Sequence, residues 1–318
     1  LVNNHIDRDN KFIKVLYMTS DQRIRLATLF IWITPAFWAV NYLVARKAPG
    51  VIDPYSLALG RWALAGAILG YWARVEIRQH ISQIREVWFE WLILGTLGML
   101  ICGAWVYHGA RTTQAVNIAL IYSISPVMIS ITAVIWLGER MSILQRVGVA
   151  LSLLGVFHVV LRGQWMHLGD VQWVVGDFWV LASSTAWAIF VILQKKWASP
   201  LGATARLACI CAGGCLMLIP CVIWEITQPN TPPMSVDALV LVVAAALFPG
   251  IGAYGSYSWA QKVLGVSRVS VALYLSPLWS AVVAWLFLGE HLEIHHLVGA
   301  AMILPGVALV TRQWKKIS

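Results

Sequence analysis

Charged side chains are scarce in this sequence. Only 12% of its 318 residues are Asp, Glu, Lys or Arg, whereas 59% are hydrophobic and the mean hydropathy is +0.74. A soluble domain would carry about 25% charged and about 45–50% apolar residues. The shortage of charge therefore excludes an ordinary soluble domain and predicts a membrane protein.

Catalytic and targeting motifs are also missing. The sequence has no Gly-rich phosphate loop with its Lys and no pair of His in H-E-x-x-H spacing. It therefore predicts neither an enzyme nor an ATP-driven pump, and it predicts no cofactor. The first 25 residues are polar and lack the short apolar core of a cleavable signal peptide. We interpret residues 1–25 as a cytoplasmic tail, of which residues 1–17 are an upstream extension or a disordered segment.

Candidate metal ligands are few, because all five Cys residues fall in apolar runs. Cys211 and Cys215 share one helix face and would either grip a soft metal or pack as small residues, and we favour packing. His291, His295 and His296 cluster in the segment GEHLEIHH, which is either a loop metal site or a solvated polar connection. We favour the solvated connection, so the sequence predicts no metal site.

Long apolar runs are what the sequence has in abundance. Runs of about 20 residues are typical of transmembrane helices. They are too long and too uniformly apolar for the alternating strands of a membrane barrel. The sequence thus predicts an all-α membrane protein with ten transmembrane helices. The predicted helices cover residues 26–45, 56–73, 88–108, 115–137, 143–161, 177–194, 204–226, 238–262, 269–288 and 293–311.

The net charge of +9 is explained by membrane topology. If the N-terminus lies inside, most of the 23 Lys and Arg residues face the cytoplasm, as the positive-inside rule expects. The distribution of Lys and Arg then places both termini in the cytoplasm, and the net positive charge does not indicate a nucleic-acid partner. The expected partners are the lipid bilayer and a small-molecule solute, and no oligomeric state follows. Four cations face outward: Arg46, Lys47, Arg111 and Arg162.

The second half of the chain repeats the first. At an offset of 151 residues, Ser-Pro and Gly-Glu recur, and Trp38 recurs as Trp187 at an offset of 149. We predict two five-helix repeats, residues 26–162 and 177–312, with an external linker at 163–176 and a tail at 313–318. Because five is odd, the second repeat enters the membrane from the opposite side, and inverted repeats are typical of alternating-access transporters.

A proline lies near the middle of the fourth and ninth predicted helices. Pro126 and Pro277 each remove a backbone hydrogen bond and are expected to kink their helix. The freed carbonyls must face a wet cavity or find another donor. Either the Ser-Pro breaks form the hinge and floor of a central cavity, or Ser125 and Ser276 repair a purely structural kink.

These features together resemble the drug/metabolite transporter superfamily, EamA type. The residues that carry the resemblance are the two deep Trp, an Arg in each of helices two and seven, the mid-helix Pro, and the Gly-Glu endings. The segments GVALSLLGVFHVV and GAAMILPGVALV that follow those endings also match. The resemblance implies a ten-helix carrier of the bacterial inner membrane, often an exporter of amino acids or related metabolites. A multidrug efflux carrier or a non-transporting scaffold is the alternative. Small multidrug members rely on a carboxylate in the first helix, which this chain lacks between Arg25 and Arg46.

The polar and aromatic residues of helices one, four, six, eight and nine are the candidates for a substrate cavity. Aromatic rings offer an apolar face, and Trp also attracts cations. For Trp38 and Trp187, which lie too deep for an interfacial belt, helix packing is the alternative. The candidates are Trp38, Asn41, Tyr42, Tyr122, Ser125, Pro126, Ser184, Trp187, Tyr254, Tyr257, Trp259, Tyr274, Ser276, Pro277 and Trp279.

Two arginines fall within predicted helices. A lone Arg in hydrocarbon costs at least ~2.5–3.5 kcal/mol, so each should find an anion or reach water. Matching depths pairs Arg61 with Glu290 and Arg206 with Glu139, so that each bridge would join the two repeats. We interpret these pairs as gates that open alternately, and static anchoring or snorkelling of the Arg is the alternative.

Overall fold

A computed structural model describes residues 19–122, 124–137, 142–166, 174–264 and 271–311, and all the secondary structure in them is helical. The first half contains α1 (Ser20–Lys47), α2 (Pro54–Trp72), α3 (Arg74–Gln79), α4 (Ile81–Glu86), α5 (Trp88–Gly95), π1 (Thr96–Ala104), α6 (Trp105–Gly109), α7 (Ala115–Tyr122), α8 (Ser125–Leu137) and α9 (Ile143–Val160). The second half contains α10 (Val175–Lys196), α11 (Ala203–Ile226), α12 (Val236–Ala245), π2 (Ala246–Gly252), α13 (Ala253–Leu264), α14 (Val271–Leu288) and α15 (Ile294–Thr311).

The apolar runs of the sequence are the helices of the structure. Helix starts follow local chemistry: the Thr19 side chain caps α1 in a capping box, and Ser142 does the same for α9. Six helices among the described residues are long and apolar enough to cross a membrane. Their outer faces expose large apolar side chains such as Trp32 and Leu216, which are 55% and 61% exposed. The chain is therefore a membrane protein.

Two π-helical segments interrupt the third and eighth apolar runs. They begin at Thr96 and Ala246, so their separation along the chain falls between the offsets of 149 and 151 residues seen for the repeated motifs. A π segment commonly marks a functional site. The carbonyls of Ile101 and Cys102 accept hydrogen bonds from the side chains of Ser183 and Tyr122, at 3.1 and 3.2 Å. Side chains of neighbouring helices thus satisfy backbone groups in π1.

The two Ser-Pro sequences differ in their effect on the backbone. The first divides its apolar run into α7 and α8, which begins at Ser125, as the kink prediction requires. The second lies inside α14, which continues from Val271 to Leu288. The second Ser-Pro therefore leaves the helix uninterrupted, and the kink predicted at Pro277 stays a prediction.

Helices α2 and α11 run antiparallel, as the hydrogen bonds at their ends demonstrate. Glu225, near the end of α11, accepts hydrogen bonds from the backbone amides of Tyr55 and Ser56 at the start of α2, at 3.1 and 2.8 Å. At the other end, the amide of Gly202 before α11 donates to Glu76 after α2, at 2.5 Å. The helices cross closely, because a Cβ on Gly66 would lie 2.9 Å from Cβ of Cys211.

Helices α9 and α15 are also antiparallel. A Cβ on Gly306 would lie 2.8 Å from the carbonyl oxygen of Gly148, and one on Gly299 would lie 3.3 Å from that of Gly155. Residue numbers therefore rise along α9 in the direction in which they fall along α15. Small residues permit this close approach in membrane helices.

Candidate functional site

A cavity of about 120 Å³ lies among helices of both halves. Its described walls come from α1, α2, π1, α7, α8, α10, α13 and α14. Eight of the predicted cavity residues line it: Trp38, Asn41, Tyr42, Tyr122, Ser125, Trp187, Tyr254 and Ser276. Sequence reasoning missed seven others as cavity residues: Arg61, Trp62, Gly98, Cys102, Gly103, Ala119 and Ile129.

Four predicted cavity residues are absent from the described lining of the cavity. The fully buried Ser184 lies behind Ser125, with the two hydroxyl oxygens 3.1 Å apart. Tyr257 packs on Trp38, and Trp259 packs on Phe30, each with ring centroids 5.4 Å apart. Trp279 is partly buried in α14. The side chains of Pro126, Tyr274 and Pro277 lie outside the part of the structure that is described.

The aromatic walls combine ring contacts between the two halves with ring contacts inside the second half. Tyr254 meets Trp62 and Trp187 edge-on, with centroid distances of 6.0 and 5.9 Å. Trp187 also stacks on Phe190 of its own helix at 5.2 Å. Trp38 lines the cavity and packs on Tyr257. Both deep Trp residues therefore serve cavity lining and helix packing, the two alternatives that the sequence left open.

Ser125 likewise combines both expected roles. Pro126 has no N–H to donate to the carbonyl of Tyr122 four residues earlier. The Ser125 hydroxyl donates to that carbonyl instead, at 2.6 Å. Ser125 is 5% exposed and lies in the cavity wall. The helix break is thus repaired locally at the point where it borders the cavity.

Arg61 is the charged residue of the described cavity wall. Its Nη1 donates to Asn41 Oδ1 at 2.9 Å and to the Tyr107 hydroxyl at 3.0 Å, and that hydroxyl donates to the same Asn41 oxygen. The guanidinium carbon lies 4.2 Å from the ring centroid of Trp62. Neutral acceptors and a π face therefore fix this cation in place. Its depth in an apolar run was the sequence signal that could have identified it.

The predicted pair of Arg61 and Glu290 does not form. Glu290 Oε1 instead accepts from Arg46 Nε at 2.9 Å, and Oε2 accepts from the amide of Ala115 at 3.0 Å. Arg46 also donates to the carbonyl of Ala110. Depth along the membrane normal does not fix where a side chain lies around the bundle, and Arg46 in the last turn of α1 lies beside the end of α14. We call this cluster the Arg46 end of the bundle.

The second predicted pair cannot be followed, because Glu139 lies outside the described residues. Arg206 donates through Nη2 to the backbone carbonyls of Gln194 and Trp197, at 2.9 and 2.6 Å. Backbone oxygens at the end of α10 thus supply its acceptors. Unlike its counterpart Arg61, Arg206 is absent from the described cavity lining.

A buried polar network lies near the Arg46 end. Asp177, which is 1% exposed, accepts a hydrogen bond from the Thr113 hydroxyl, and Asn117 Oδ1 lies 3.0 Å from His296 Nε2. The prediction of a solvated connection was wrong for His295, which is 9% exposed, and for His296, which is 1% exposed. His296 packs into the bundle because Asn117 offers a hydrogen-bond partner there. Within the described residues, no three His, Cys, Asp or Glu side chains are grouped in a way that could hold a metal ion.

Comparisons with known proteins give a consistent result. A sequence model of the EamA-like transporter family matches residues 25–161 and again residues 174–312. The "Uncharacterized transporter YyaM" of Bacillus subtilis is 23% identical over 85% of this chain and 88% of its own length. A "Probable terminal-alkyne amino-acid exporter" of Streptantibioticus cattleyicolor is 27% identical over 70% of this chain and 72% of its own. A solved crystal structure with 20% identity shares the fold, with a TM-score of 0.59 over 90% of this chain and 96% of that one.

Proposed function

The chain belongs to the EamA-like transporter family, and from this premise we propose that it is a secondary transporter that exports amino acids or related small metabolites by alternating access. The main support for this function is the cavity between the two halves of the chain. It is enclosed by aromatic and small polar side chains from both halves and holds a volume of about 120 Å³. The similarity to an amino-acid exporter adds support for the substrate class.

We propose that ten transmembrane helices form two inverted repeats. The family model matches the chain twice, once in each half. Helices α2 and α11 hold equivalent places in the two halves, as do α9 and α15, and each pair runs antiparallel. Equivalent helices of opposite direction are what inverted repeats require. With the Lys and Arg distribution, this arrangement supports both termini in the cytoplasm and a location in the bacterial inner (plasma) membrane.

The Arg46 end is a candidate gate in this mechanism. The ion pair of Arg46 and Glu290 joins the last turn of α1 to the residues that follow α14, and thus the first half to the second. Glu290 also holds the amide of Ala115 at the start of α7. Opening the cavity toward this end would separate these groups. The corrected pair therefore takes the outer gating role that the sequence suggested for Arg61 and Glu290.

The main alternative is a multidrug or toxic-compound efflux carrier, because aromatic walls also attract organic cations. The volume favours a smaller solute, since pockets for drug-sized ligands measure about 300–1,000 Å³. A non-transporting scaffold would leave a cavity built from both halves without a role.

Solute counterflow in proteoliposomes tests the proposal. Vesicles loaded with a mixture of amino acids and related metabolites should exchange at least one of them, as mass spectrometry would detect. Trp38→Ala and Trp187→Ala should each slow exchange roughly tenfold, because each removes an aromatic wall. Trp88→Ala is the matched control, since Trp88 is 59% exposed and lies outside the described lining.

The possible outcomes separate the candidate functions. Exchange of organic cations alone would favour the efflux carrier. No exchange above that of protein-free vesicles would contradict transport. Equal folded yields of the three Trp variants, measured by size-exclusion chromatography, are needed to assign the slower exchange to the cavity.

A further inference from the structure

The cavity wall carries one positive charge and no balancing negative charge among its described residues. Arg61 is 5% exposed, and the lining contains no Asp or Glu. Three carboxylates of the described helix ends have other partners: Glu290 binds Arg46, Asp177 binds Thr113, and Glu225 binds the backbone at the start of α2. A buried charge is costly unless it is paired. The described part of the cavity wall therefore offers Arg61 no anion.

The nitrogens of the Arg61 guanidinium differ in their hydrogen bonding: Nη1 has acceptors, whereas Nε has none among the described residues. Both side-chain hydrogen bonds described for Arg61 use Nη1, with Asn41 and Tyr107 as acceptors. The Nε atom is buried and has no acceptor among the described residues. Trp62 covers one face of the group. An arginine fixed in this way is suited to bind a planar anion, because its donors match the geometry of a carboxylate.

We propose that Arg61 binds the carboxylate of the transported solute, and that the substrates are small carboxylates with an apolar or aromatic remainder. The inference rests on the proposed function, since it names the substrate class of the same cavity. One arginine balances one negative charge, whereas a phosphate ester carries about −1.5 to −2 at neutral pH. The aromatic rings of Trp38, Trp187 and Tyr254 contact the rest of the solute. An α-ammonium group is tolerated but not required, because no described lining residue offers it an anion.

Probes that share a hydrocarbon chain but differ in their polar group test whether the cavity recognises a carboxylate. Isovalerate, isovaleramide and isoamylamine share a branched apolar chain and differ in charge, and phenylacetate with phenylacetamide repeats the comparison for an aromatic chain. Binding to the purified full chain is measured as the rise in thermal-unfolding midpoint with probe concentration. Each acid should bind roughly tenfold to a hundredfold more tightly than its amide, as expected for a charge-assisted hydrogen bond. Isoamylamine should not bind, and sodium chloride at equal ionic strength should give no comparable shift.

Variants of Arg61 and Arg206 test whether the preference for an acid over its amide depends on Arg61. Arg61→Gln should abolish the difference between acid and amide, and Arg61→Lys should retain part of it, because Lys keeps the charge without the planar donors. Arg206→Gln removes the equivalent arginine of the second half, which donates to backbone carbonyls, and should leave the preference unchanged. Should Arg61→Gln fail to fold, the lysine variant still measures the dependence.

Different results would contradict the carboxylate site at Arg61 and transport by the protein. Equal binding of acids and amides to the wild-type chain, or no shift with either acid, would overturn the carboxylate site. So would exchange of a transported solute that Arg61→Gln and Arg61→Lys leave unchanged, although transport itself would then stand. Tight binding of acids without exchange of any solute in vesicles would contradict transport and leave the carboxylate site intact.

Discussion

Ser125 has two roles: it donates a hydrogen bond to a backbone carbonyl, and it lines the cavity. Its hydroxyl donates to the Tyr122 carbonyl, which Pro126 cannot serve, and its other neighbour is the Ser184 hydroxyl. A carbonyl without a donor is costly inside a membrane protein, where water cannot replace the lost bond. The residue is thus needed for stability as well as for the cavity wall.

Ser125→Ala should lower the free energy of unfolding by about 1–3 kcal/mol, the usual cost of a buried polar group without a partner. Thr185→Ala is the control, because Thr185 donates to the carbonyl of Leu181 within the uninterrupted α10, where a backbone amide already serves it. We expect its effect to stay within about 0.5 kcal/mol. Thermal unfolding in detergent measures both, and an equal loss in the two variants would contradict the repair role.

Close helix approach positions the elements around the cavity. Gly95 ends α5, directly before π1, and packs against Gly213 and Gly214 of α11. A Cβ on Gly95 would lie 2.2 Å from the amide nitrogen of Gly214, so the two backbones could not keep their separation. The contact therefore holds the start of π1 against the second half.

Two glycine substitutions with opposite expected signs test this packing. Gly95→Ala should destabilise the protein by about 1–3 kcal/mol, because the backbones must separate. Gly70→Ala should be neutral or stabilising by up to about 1 kcal/mol, since alanine favours a helix and nothing lies within 4 Å of the added Cβ. Unfolding midpoints compare the variants in one detergent. A loss at Gly70 as large as at Gly95 would show that steric contact is not the cause.

The helices themselves could be predicted, because apolar length is a strong signal; the predicted run 204–226 is α11, Ala203–Ile226. The π segments could not, since a shift in hydrogen-bond register leaves composition unchanged. Eight of the fifteen predicted cavity residues line the cavity, because depth and chemistry are visible in the sequence. The partner of Glu290 was missed, since depth does not give the position around the bundle. The resemblance to the EamA family is confirmed by the match to both halves.

Alternating access requires a cavity that opens in turn to each side of the membrane. Cys102 is a natural reporter, because it lines the cavity with its sulfur 3.3 Å from the Tyr122 hydroxyl. Replacing Cys209, Cys211, Cys215 and Cys221 with Ala would leave it as the sole thiol of the chain. Glu290→Gln should speed the modification of Cys102 from the Arg46 end, because it removes the ion pair with Arg46 that we propose as a gate.

The most direct test is the side dependence of Cys102 modification by a small, charged, membrane-impermeant thiosulfonate. It is measured in right-side-out and inverted vesicles of the single-cysteine chain that carry out solute counterflow. We expect Cys102 to react from both sides of the membrane, and the transported solute should slow the reaction on each side. Reaction from one side only, in vesicles that still exchange solute, would contradict alternating access through this cavity.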